Sequence, residues 1–360
     1  MRVLLHMALS IAHANIFLGS TYSHLQPFHL ATCAYTRTHS PVEDVHQTTP
    51  SSANTMSYAK QIFYIAAIQA FAGLAYYSPL MAASIPVVLS PTFFAIWRYH
   101  RLPREEAGNS KVATWTYLGA GILGLSAAGA LQLGLCSLMF KALFGAQASD
   151  YMDELQRVTL ENVPTEIIHA RQQMAWTPGY FLGLTIFSYI GSALLEEAIK
   201  YFALRLAVRH ARPRHEHEYL IYAALAGLGF GTIENTLVTY ASITGDETGG
   251  MVALGLFERV VLASLGHTIM ALLTSLQSIR RDARGEKLSI WQVLARAVAY
   301  HGTWNFILMS VSAWNGNVGW IHPTDAGSIV LALSSVIALQ VKAARDVSKQ
   351  LKALQLRACK

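Results

Sequence analysis

From about residue 58 onward the chain is written in long apolar runs separated by short polar segments, without the period-2 alternation of half-buried strands. Read with a window of about 20 residues, the length of helix that crosses a hydrocarbon core, these runs predict about eight spans. They fall near 58–78, 81–98, 114–143, 179–206, 219–243, 251–276, 290–313 and 326–344. The fold class expected is all-α, a polytopic transmembrane helix bundle. The pattern predicts five regions: a poorly ordered tail or targeting segment over 1–56, three transmembrane helices over 57–144, an extracytosolic loop over 145–178, a four-helix core over 179–313, and a last span with a basic tail over 314–360.

The polar segments alternate in charge. RYHRLPR (98–104), RHARPRH (209–215) and RRDARGEK (280–287) are basic, as is the tail after Lys342, whereas the intervening GDETGG (245–250) is acidic. By the positive-inside rule the basic loops are cytosolic, and with eight spans both termini are too. Residues 1–42 hold no Asp or Glu, and the apolar stretch after Arg2 ends in Ala12-His13-Ala14, which admits a signal or transit sequence. A cleaved signal would break the loop parity. The preferred expectation is a cytosolic tail or an overextended start, with Met56 opening MSYAKQIFY.

Composition agrees with the pattern. The 360 residues are 53% hydrophobic and only 13% charged, about half the charged share of an ordinary soluble domain. The lipid bilayer is thus the expected surrounding. The net charge of +6 resides in loops beside the spans, so it is read as an orientation signal and nucleic acid is not expected as a partner. Cys33, Cys136 and Cys359 lie too far apart for a disulfide or metal-spacing motif.

Against this background, ionisable residues inside the runs stand out, since a charge at the bilayer centre costs at least about 2.5 kcal/mol on insertion scales. In SYIGSALLEEAIKYFALRLAV, Glu196, Glu197 and Lys200 fall within about 100° of one another and share one helix face. The next run holds Phe230 and Glu234 one turn apart, followed by Asn235, on a helix whose Gly227, Gly229 and Gly231 invite close approach by a neighbour. The run after it carries Glu258, Arg259 and His267, and the next carries His301, Trp304 and Asn305. Taken singly, each has a structural reading: Glu258 with Arg259 as an interfacial ion pair, His267 as a hydrogen-bonded core histidine, Trp304 as packing, and His215-Glu216-His217 as a solvated loop. Taken together, polar groups on four consecutive spans point to a site.

Paired carboxylates, a third acid, two imidazoles and an amide can activate water and stabilise an oxyanion, which amounts to peptide hydrolysis without a serine or cysteine nucleophile. His267, His301 and Glu196 are also a ligand set for a divalent metal such as Zn2+, and spacing does not separate the two chemistries. No cofactor is assigned beyond that alternative. Intramembrane acids and bases also build proton relays, so a proton-coupled transporter is the rival reading, and an inactive membrane scaffold a second.

The ordered series EExxK (Glu196, Glu197, Lys200), FxxxEN (Phe230, Glu234, Asn235), Arg259 with His267, and HxxWN (His301, Trp304, Asn305) resembles the PrsW family of intramembrane proteases, relatives of the CAAX-prenyl and bacteriocin-immunity proteases. The resemblance covers about residues 180–310. It implies a helical membrane bundle and cleavage of a membrane-anchored protein substrate, with Glu196 as water-activating base and His301 with Asn305 on the oxyanion side. It carries Glu197, Lys200, Glu234, Asn235 and His267 into the catalytic set. In the CAAX relatives a histidine stands where this chain has Glu234, and the resemblance leaves metallo- and glutamate-type mechanisms both open.

Overall fold

A computed structural model describes residues 78–358 apart from 103–107, 156, 158–159, 161–162, 245–248, 320 and 324. The tail 1–56, most of the span expected at 58–78 and most of the acidic segment 245–250 lie outside the described residues, as do Cys33 and Cys359.

Eight helices are described, and no strand is present among the described residues. Six are long and apolar enough to cross a membrane: α1 Pro79–Tyr99, α2 Ser110–Leu155, α4 Pro178–Ala211, α5 Glu216–Thr244, α6 Gly249–Ala283, and α8, whose apolar part is Ala326–Leu354 within a helix reaching Ala358. The helix α7, Ile290–Trp314, has the length of a span at 25 residues, but Gln292, Arg296, His301 and Asn305 dilute its apolar run. Between α2 and α4 lies the short helix α3, Thr165–Ala175, in the segment read as a loop. The all-α polytopic bundle is thus the observed fold.

Local chemistry sets the helix ends. Ser78 caps α1 by accepting from the Met81 N–H, Asn109 caps α2, and Ser289 forms a reciprocal capping box with Gln292 at the start of α7. Arg212 ends α4 in the left-handed conformation, at φ 48°.

The helices α5 and α6 form the centre, with 67% and 83% of their apolar windows buried, against 22% for α2 and α8, which turn most of their surface outward. Small residues let α5 sit there: a Cβ on Gly229 would run into the Tyr117 carbonyl of α2, and one on Gly227 would meet the His267 carbonyl of α6 at 2.5 Å. The ends are tied in two layers. At the basic end, Tyr222 accepts from the Asn109 N–H at 2.9 Å, and Arg284 donates to Glu216 and to the Leu354 carbonyl. At the other end, the buried Arg171 of α3 donates to the Val318 carbonyl at 2.9 Å, Tyr180 accepts from the Gly319 N–H, and Trp176 donates to the Trp314 carbonyl. These bonds fasten the α7–α8 loop over the bundle.

Candidate active site

The polar groups of α4, α5, α6 and α7 meet beside a cavity of about 400 Å³ that Glu196, Glu234, His267, His301 and Asn305 help to line. Two arrangements of backbone bring them there. In α4 a π-helical stretch, Phe187–Leu194, leads directly into Glu196 and Glu197, and in α6 another, Glu258–Ala263, precedes His267. Such wide turns are frequent at functional sites. Gly231 and Gly302 make the room, since a Cβ on Gly231 would touch the His267 ring at 2.9 Å and one on Gly302 would collide with Tyr189.

Glu196 is buried at 6% exposure. Its Oε1 accepts from Gln132 at 2.9 Å and from Ser192 at 2.8 Å, while its Oε2 has no hydrogen-bond partner and lies 3.6 Å from His301 Nε2. One oxygen is held and the other is available. Glu197, fully buried, plays a different part: its Oε1 accepts from Lys200 Nζ at 2.5 Å and from His301 Nδ1 at 2.8 Å. Lys200 Nζ also lies 3.0 Å from His267 Nδ1 and 5.1 Å from the centre of the Phe230 ring. The carboxylate and the ammonium thus satisfy one another while each orients one histidine.

The hydrogen bonds set the histidine tautomers. A carboxylate only accepts, so His301 carries a proton on Nδ1, and its Nε2 faces Glu196. An ammonium only donates, so neutral His267 carries its proton on Nε2, which lies 2.7 Å from Glu234 Oε2 without hydrogen-bond alignment. Glu234 Oε1 is met by Arg259 Nη1 at 3.2 Å. Asn305 donates to Ser192 Oγ at 2.7 Å, and Ser192 in turn donates to Glu196.

Of the residues singled out from sequence, seven converge: Glu196, Glu197, Lys200, Glu234, His267, His301 and Asn305. Asn235 does not, because its amide is turned toward α6, where it donates to the Arg259 carbonyl at 2.8 Å and to Ser264 Oγ at 2.9 Å. Trp304 packs against Gly266, where a Cβ would collide with its ring, and forms part of the cavity wall. Arg259 turns to Glu234, while Glu258 faces His322 of the α7–α8 loop at 3.6 Å. His215 and His217 stack on each other at 5.2 Å beside the basic end, and Glu216 pairs with Arg284. Sequence reasoning missed Gln132 and Ser192. Gln132 was detectable as a lone amide within the apolar run LSAAGALQLGLC, and Ser192 as the residue one turn before Glu196.

One carboxylate oxygen of Glu196 and nitrogens of His267 and His301 lie within 4.8 Å of one another, a spacing at which three side chains can hold a metal ion. The donor chemistry fits in two of the three. Glu196 offers an unpartnered oxygen, and His301 has the carboxylate-backed ring typical of a metal-ligating imidazole. His267 does not fit, because Lys200 at Nδ1 leaves the proton on Nε2, where an ion would have to bind.

The model of the family described as "PrsW family intramembrane metalloprotease" matches residues 128–339, a stretch containing all eight singled-out residues. The chain is 29% identical over 131 residues to Protease PrsW of Bacillus subtilis (strain 168), covering 35% of this chain and 56% of that protein. It is 23% identical over 135 residues to Protease PrsW of Geobacillus kaustophilus (strain HTA426), covering 37% of this chain and again 56% of the relative. The matched stretch thus spans little more than half the length of either relative. No solved structure matches the chain significantly.

Proposed function

The chain belongs to the PrsW family of intramembrane metalloproteases, and on that footing we propose that it is an endopeptidase that hydrolyses peptide bonds of membrane-anchored proteins with water activated by Glu196. The observation that carries this reading is the asymmetry of the Glu196 carboxylate. Gln132 and Ser192 hold Oε1, while Oε2 is buried and unpartnered beside His301 on the cavity wall. A water placed at Oε2 loses its proton to the carboxylate as it attacks the scissile carbonyl. His301, tied through Nδ1 to Glu197, becomes a donor at Nε2 once protonated, and Asn305 has a second amide N–H beyond the one given to Ser192. These two groups serve the developing oxyanion. Lys200 and Glu197 hold the histidines in register. Glu234, braced by Arg259, faces the proton on His267.

A second reading draws on the convergence of Glu196, His267 and His301. A zinc ion held by these residues would supply Lewis-acid polarisation and a more acidic water. We favour the metal-independent mechanism because of the Lys200 contact at His267 Nδ1. The test is reconstitution in vesicles with a panel of tagged single-span proteins, together with metal analysis of the purified enzyme. Site-specific cleavage without stoichiometric metal is expected. About one equivalent of zinc that is lost in His301→Ala, with activity restored by zinc after chelation, would reverse the choice of mechanism. No cleavage of any membrane-anchored protein would remove the proteolytic reading.

A further inference from the structure

Gln340, on the outward-facing helix α8, is 4% exposed and donates from Nε2 to the Leu262 carbonyl of α6 at 2.7 Å. Leu262 lies in the π-helical stretch Glu258–Ala263, whose wide turn is shown by the Ser264 N–H bonding to the carbonyl of Arg259, five residues back. That same Arg259 carbonyl accepts from Asn235 of α5. The stretch is therefore held from two sides by amides of two neighbouring helices. The Arg259 carbonyl takes the Asn235 amide in addition to the Ser264 N–H, and the Leu262 carbonyl takes the Gln340 amide, so the two side chains bond to carbonyls near either end of the stretch.

The turn has a geometric consequence for the site. On a regular helix, eight steps of about 100° would leave Arg259 and His267 about 80° apart around the axis; absorbing one residue in a π turn makes it seven effective steps and brings them within about 20°. Both side chains then reach the same carboxylate, Arg259 at Glu234 Oε1 and His267 at Glu234 Oε2. We infer that Gln340, together with Asn235, is a positioning residue that keeps α6 in this register so that His267 faces the cavity. The inference rests on the proteolytic reading only for its consequence in catalysis; the register itself is independent of that reading.

The test separates the two. In membranes, a Glu234→Cys, Arg259→Cys pair and a Glu234→Cys, His267→Cys pair are each bridged with a short bifunctional thiol reagent. Both pairs should cross-link efficiently with Gln340 present. Gln340→Met keeps the length but has no N–H, and one of the two pairs should then fall several-fold while the other is retained. This readout needs no cleavage. In the cleavage assay, Gln340→Met should lower kcat by about 10- to 100-fold, the scale of a misplacement near 1 Å, with KM unchanged. Deleting Val261, which removes the extra residue, should make activity insensitive to the side chain at position 340, whereas deleting Leu254, outside the π stretch, should abolish it. If Gln340→Met fails to accumulate, the contrast between the two deletions carries the test. Equal cross-linking of both pairs in Gln340→Met, or equal effects of the two deletions, would overturn the inference.

Discussion

Glu196→Gln isolates proton transfer from everything else the side chain does. The amide oxygen can take the place of Oε1 and keep the hydrogen bonds from Gln132 and Ser192 at 2.9 and 2.8 Å. The amide nitrogen then takes the place of the unpartnered Oε2, 3.6 Å from His301 Nε2, where it can donate to a ring nitrogen that carries no proton. No charge is left buried alone and no cavity opens, so folding stability should change by no more than about 1 kcal/mol, the worth of one hydrogen bond gained or lost. What glutamine cannot do is take a proton from water. Removing that function should cost at least about 100-fold in kcat, equivalent to about 2.7 kcal/mol of barrier. The assay is cleavage of a tagged single-span substrate in vesicles, with thermal unfolding and membrane abundance measured on the same preparations. A Glu196→Gln protein that melts as wild type and cleaves at the wild-type rate would refute the assignment. One that is inactive because it does not fold would refute the structural half of the argument.

Glu197→Gln should behave differently, because it removes one partner of a fully buried ion pair and leaves Lys200 charged; a loss of about 3–5 kcal/mol is expected, read as reduced abundance and melting temperature, with partial recovery in the Glu197→Gln, Lys200→Met double variant. Asn305 reaches Glu196 through Ser192, so Ser192→Ala and Asn305→Ala should each lower kcat, and the double variant should be little worse than the worse single one; additive losses would sever the proposed chain. Gly229→Ala should force α5 from the Tyr117 carbonyl of α2 and cost about 1–3 kcal/mol, seen as lower abundance, whereas Gly134→Ala, with open space around it, should be neutral.

Much of this protein was legible in one dimension. Apolar run length announced the helices, because a bilayer leaves unpaired backbone no solvent, and the expense of intramembrane charge singled out Glu196, Glu197, Glu234, His267 and His301. Helical periodicity also placed Glu196, Glu197 and Lys200 on one face, and the structure brings all three to the site. What periodicity could not supply was the partner each group takes. It grouped Asn235 with Glu234 because they are adjacent, yet neighbours on a helix point about 100° apart, and the amide serves the α6 backbone instead. It passed over Gln132 and Ser192, whose importance comes only from lying against Glu196 across a helix contact or a turn. It also assumed a uniform 3.6 residues per turn. The wide turns in α4 and α6 shift the phase of everything beyond them, and in α6 amides from α5 and α8 bond to carbonyls of the turn. The sequence by itself determined which residues are too costly to bury without purpose; only tertiary contact decided which carboxylate oxygen stays free and which histidine nitrogen carries the proton, because those depend on hydrogen-bond partners that are distant along the chain.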